Sequence, residues 1–89
     1  MTTQSNAVTK ILFFASFREL IGQPAISIHL MKPTTVADLL DQLYAEHPQV
    51  KAQLAGREFL FAVNQQLATS LTLVQPGDEL ALFPFVTGG

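Results

Sequence analysis

The residues best placed to do chemistry in this chain are its last two, Gly88 and Gly89. They follow a strand-like stretch, Glu79-Leu80-Ala81-Leu82-Phe83-Pro84-Phe85, and a two-residue spacer, Val86-Thr87. A glycine pair carries no Cβ, so it is thin enough for a narrow channel and free in φ. The expectation is that the C-terminal carboxylate of Gly89 is the reactive group and that the tail is delivered into another protein. The plainer alternative is a Gly-rich end that is simply disordered.

Other constellations carry less. His29 and His47 are separated by a strand-helix connection, and the chain has no cysteine to join them, so a metal site is not expected. Asp38 and Asp41 share a helix face as paired carboxylates would, but the positive helix start accounts for them. None of Ser5, Ser16, Ser27 or Ser70 has the constrained turn and nearby base that nucleophilic catalysis needs. Gly22, Gly56 and Gly77 form neither a dinucleotide fingerprint nor a phosphate loop. No cofactor is expected on the chain, and ATP, if used, belongs to a partner.

Composition narrows the classes further. The chain has 89 residues, 48% of them hydrophobic, which suffices for one small domain with a single core. Without cysteine there is no disulfide, thiolate or redox pair, so any sulfur chemistry uses sulfur from outside. The net charge is −2, and the five basic residues, Lys10, Arg18, Lys32, Lys51 and Arg57, are scattered, which argues against nucleic acid. Residues 1–10 lack the apolar region of a secretory signal, and no apolar run approaches the ~18 residues of a membrane span. A cytoplasmic protein without membrane contact is expected.

These residues must be positioned by few elements. Residues 1–8 read as a flexible N-terminal tail, 9–85 as the folded domain and 86–89 as a flexible C-terminal tail. Thr9 to Phe17, apolar and Phe-rich, reads as a buried central strand. Arg18 to Gly22 interrupts it, and Ala25 to Met31 alternates as a strand with one wet face that carries His29. The two are expected to pair as a hairpin. Thr35 with Asp38 resembles a capping box and starts a helix whose stripe is Val36, Leu39, Leu40, Leu43 and Tyr44. Pro48 ends it near His47. Val50 to Ala55 reads as a short extra helical turn closed by Gly56, Phe59 to Val63 as a buried strand, and Asn64-Gln65-Gln66 as its turn. Gln75-Pro76-Gly77-Asp78 is turn chemistry before the final strand, Glu79 to Phe85. The order implies an α+β roll with one helix across a mixed four- or five-stranded sheet. In the final strand Phe83 and Phe85 alternate with Leu82 and Pro84, so a large apolar group beside the tail points outward unless Phe13, Phe14 and Phe61 shield it.

The ordered set of motifs resembles the small subunit of molybdopterin synthase, a ubiquitin-like β-grasp sulfur-carrier family. It rests on Ile11-Leu12-Phe13-Phe14-Ala15 with Arg18-Glu19-Leu20 and Gly22, on Ala62-Val63-Asn64-Gln65, on Pro76-Gly77-Asp78-Glu79-Leu80-Ala81, and on Phe83-Pro84 with Val86-Thr87-Gly88-Gly89. The resemblance implies a chain that is not an enzyme on its own but the sulfur-donating subunit of one. Gly89 would become an acyl-adenylate on a ubiquitin-activating-like partner that uses ATP, then a thiocarboxylate with sulfur from a persulfide. The charged tail would enter the large subunit, two large plus two small subunits in all, and form the dithiolene on a cyclic pterin precursor. Val86, Thr87 and Gly88 would pass through the partner's narrow channel, Gly88 giving the clearance it demands. Phe14, Arg18, Leu67 and Phe83 fall where the family's partner-facing surface lies, and the outward ring of Phe85 joins them as a candidate contact. One departure stands out: the family often has Pro-Pro before Val, where this chain has Pro84-Phe85, less stiff and bulkier. The rivals are a carrier of the same fold serving thiamine, cysteine or tRNA thiolation, a ubiquitin-like modifier, and a plain interaction module.

Overall fold

A computed structural model describes residues 8–85. Seven strands and three helices follow one another as β1 (Val8–Phe13), α1 (Ser16–Ile21), β2 (Ala25–His29), β3 (Thr34–Thr35), α2 (Val36–Glu46), α3 (Pro48–Leu54), β4 (Phe59–Val63), β5 (Gln66–Ala68), β6 (Leu73–Val74) and β7 (Glu79–Pro84). Five strands form one mixed sheet in the order β2-β1-β7-β4-β5, and β3 pairs with β6 in a two-stranded ribbon. β1 and β2 are antiparallel neighbours, as the alternation predicts, whereas β1 and β7 run parallel in the centre.

The core lies between this sheet and α2. Ile11 and Phe13 from β1, Ile26 and Ile28 from β2, and Leu80 and Leu82 from β7 meet Val36, Leu39, Leu40 and Leu43 of the helix. All ten are buried, which the period of two in the strands and the i, i+3, i+4 spacing in the helix require. Thr35 caps α2 by accepting the Asp38 N–H on its hydroxyl at 3.1 Å, one half of the capping box. Tyr44 lies half-buried on the flank of the stripe, and its phenol is pushed above its usual value of 10.0, first by burial and then by the Asp41 carboxylate.

Several boundaries differ from the sequence reading. The first strand stops at Phe13, not Phe17, and includes Val8, which had been assigned to the tail. Ala15 turns the chain with φ of 55°, and Ser16 to Ile21 form α1, closed by Gly22 in the left-handed region at φ 85°. The turn places Phe17 in the core, edge-on to Phe59 with ring centroids 5.6 Å apart. Pro48 does not merely end α2: it is the first residue of α3, where its missing N–H is no loss. Gln66 belongs to β5, because Asn64 and Gln65 alone, with φ of 50° and 72°, make a two-residue hairpin turn between Val63 and Gln66.

Candidate functional site

Alternation that sends Ile11, Leu80 and Phe61 toward α2 sends their neighbours to the other face of the sheet. Register then decides which of these side chains meet. Leu12 lies opposite Ala81, Ala81 opposite Ala62, and Ala62 opposite Leu67, a row across four strands. The next row pairs Phe83 with Leu60. Among the described residues no helix packs on this side, and Leu60 is 38% exposed and Leu67 77% exposed. Ala62, although buried, is not among the residues packed around α2. This is an open, apolar sheet face running up to the C-terminal strand, of the kind that marks an interaction surface.

Of the five residues expected at a partner interface, the register places Leu67 and Phe83 on this face. Phe83 is partly covered. Phe14 follows the end of β1 and Phe85 the end of β7; they are 44% and 46% exposed. Their backbones are fixed by the sheet, Phe14 N–H donating to the Leu82 carbonyl at 3.1 Å and Phe85 N–H to the Glu58 carbonyl at 3.2 Å. Phe13 and Phe61 do not shield the outward rings, since both point into the helix side of the sheet. Arg18 is exposed on α1, the helix that begins two residues after Phe14. Val86, Thr87, Gly88 and Gly89 lie outside the described residues.

Sequence reasoning missed Leu60 and Leu12 on the open face. Their signal was present, because both fall at odd steps from core residues in their strands. It also missed Thr9, fully buried, whose hydroxyl accepts the Gly77 N–H at 3.2 Å and ties the turn before β7 to the start of β1. Gly77 has φ of 96°, and the same turn is held by the Asp78 carboxylate, which accepts the Gln75 N–H at 2.8 Å. At the same end, Asn64 Oδ1 accepts the Glu79 N–H at 3.0 Å. These bonds fix where β7 begins, and so the register with which it runs toward the tail. The histidines and acidic residues do not assemble into a cluster: among the described residues, no three His, Asp or Glu side chains are grouped to hold a metal ion. No helix among them is long and apolar enough to cross a membrane.

A mixed five-stranded sheet that grips one principal helix, with an open apolar face beside a central terminal strand, is the ubiquitin-like β-grasp architecture. The chain belongs to the ThiS family, whose match covers residues 11–89. It is 40% identical to the molybdopterin synthase sulfur carrier subunit of Escherichia coli, over 90% of this chain and 98% of that one. It is 32% identical to the corresponding subunit of Arabidopsis thaliana, over 96% and 86% of the two chains. Among solved structures, SAMP1 from Haloferax volcanii superposes with a TM-score of 0.76 at 30% identity, covering 92% of this chain and 99% of the other.

Proposed function

We propose that this protein is the sulfur carrier subunit of a molybdopterin synthase. The observation that carries the reading is the 40% identity with the bacterial carrier subunit along nearly the whole of both chains. The geometry supports it: β7 lies in the middle of the sheet, pinned on both sides, and feeds directly into Val86-Thr87-Gly88-Gly89. In this reading the Gly89 carboxylate attacks the α-phosphorus of ATP on a ubiquitin-activating-like enzyme and releases pyrophosphate. A free carboxylate is a poor electrophile, and the adenylate supplies the leaving group. A persulfide sulfur displaces AMP, and a thiol cleaves the resulting acyl disulfide to leave the thiocarboxylate. The carrier needs no cysteine of its own for this chemistry.

The open face docks the large subunit through Leu60, Leu67 and Phe83, with Phe14 and Phe85 at its edge and Arg18 beside it, while Val86 to Gly88 thread the tail inward. Two carriers serve each cyclic pterin precursor, one for each sulfur of the dithiolene, in an assembly of two large and two small subunits in the cytoplasm. The similarity to SAMP1 favours a second reading, a modifier that forms isopeptide bonds through Gly89.

Mass spectrometry separates them. After incubation with the adenylating enzyme, ATP and a persulfide donor, the carrier reading expects a mass gain matching one oxygen replaced by sulfur on Gly89. Addition of the large subunit and the pterin precursor should then restore the original mass. High-mass lysine conjugates without a thiocarboxylate-dependent pterin product would establish the modifier instead.

A further inference from the structure

Strand β7 ends asymmetrically, and the asymmetry falls on the two residues before the tail. On the β1 side, Phe13 lies beside Leu82, and Phe14 N–H donates to the Leu82 carbonyl. The next bond of a parallel ladder would run from the N–H of residue 84 to the Phe14 carbonyl. Residue 84 is proline and has no N–H. The Phe14 carbonyl accepts the Phe17 N–H instead, at 3.1 Å, as the chain turns into α1. On the β4 side the ladder is antiparallel, and Pro84 stands opposite Phe59. Hydrogen-bonded and non-bonded pairs alternate there, and the Phe85 N–H bond to the Glu58 carbonyl makes 85 with 58 a bonded pair. Pro84 therefore occupies a non-bonded pair, where it costs the ladder nothing. The sheet releases the chain at Pro84 on one side and holds it at Phe85 on the other.

We infer that Phe85 is a positioning residue for the reactive end of the chain: the hydrogen bond from its N–H to the Glu58 carbonyl sets the point at which the sheet stops holding the backbone. The inference rests on the carrier reading for its consequence. Four residues span at most about 14 Å, so the Gly89 carboxyl is confined to that radius around a point the latch defines. Without the latch that point is no longer fixed, while Leu60, Leu67 and Phe83 keep their places in the sheet. Its loss should act on the reaction of the bound complex more than on its formation, because small misplacements of reacting atoms are costly.

The test uses the full chain with phenyllactic acid incorporated at position 85, which replaces the backbone N–H by an ester oxygen and keeps the ring. Pyrophosphate exchange with the adenylating enzyme is followed over a range of carrier concentrations, beside the unmodified chain. The expected result is a kcat at least tenfold lower for the ester, with KM within threefold of the unmodified chain. An ester variant with unchanged kcat overturns the inference, as does one whose loss lies in KM alone. Native-state hydrogen exchange judges the latch without any partner: the Phe85 amide should exchange at least tenfold more slowly than its intrinsic rate, and an unprotected amide overturns it. If the unmodified chain shows no exchange of pyrophosphate, the carrier reading fails and the amide measurement alone decides the latch.

Discussion

The two faces of the five-stranded sheet are made from the same strands, yet one is closed and the other open. On the closed face, Ile11, Phe13, Leu80 and Leu82 lie under Val36, Leu39 and Leu43 of α2, with almost no exposed area. On the open face, Leu12, Leu60, Leu67 and Phe83 face no helix, and the small residues Ala62 and Ala81 lie between them in register. The closed face is what a chain of this size needs to fold at all. The open face keeps large apolar side chains that folding does not require, and it leads to the strand from which the tail departs. Stability and recognition are thus assigned to opposite sides of the same backbone.

The largest effect is expected at the tail, residues 86–89. A chain ending at Gly88 should accept no detectable sulfur in the mass measurement and should melt within a degree or two of the intact protein, since terminal residues make few core contacts. A matching loss of fold would mean that the tail is part of the core. On the closed face, Leu82→Ala removes a fully buried side chain and should cost about 2–5 kcal/mol in urea unfolding. A cost below about 1 kcal/mol would show that the core can collapse around the gap.

On the open face, Leu67→Asp should change stability by no more than about 0.5 kcal/mol. Titration calorimetry should nevertheless find the large subunit bound about tenfold more weakly, a loss of ~1.4 kcal/mol. Unchanged affinity would remove this face from the interface. The smallest effect expected is at Tyr44. Its pKa is raised in the folded state above the unfolded value of 10.0, so the neutral phenol's contribution is intact below pH 10 and is lost as pH rises through the folded value. Tyr44→Phe should flatten the fall in stability above pH 10, measured by urea midpoints across that range. An identical slope in both proteins would show that other groups cause it.

Much of this arrangement was legible before any coordinates. The stripe of α2, the cap at Thr35, the β1-β2 hairpin and the Gly77 turn each have short-range causes, and all are present in the structure. The sequence also pointed to an outward apolar group beside the tail, and Phe85 is exposed. Helix α1 was missed although Phe17, Leu20 and Ile21 have helical spacing and Gly22 closes the run. The apolar continuity of Ile11 to Phe17 concealed the change of period. Leu60 and Leu12 were passed over because a strand read as buried conceals a second face that nothing covers.

By itself the amino-acid order determined the parts: a Gly-ended tail without charged side chains after an apolar strand, one amphipathic helix, and a chain with no cysteine. Those follow from side-chain chemistry and from the periods of 2 and 3.6, which are local. Only the tertiary structure decided that β7 lies between β1 and β4, that Leu67, Leu60 and Phe83 share a face, and that the sheet releases the chain at Pro84 but holds it at Phe85. Strand order and register depend on which backbone donors and acceptors meet across long stretches of chain, and no local pattern specifies that.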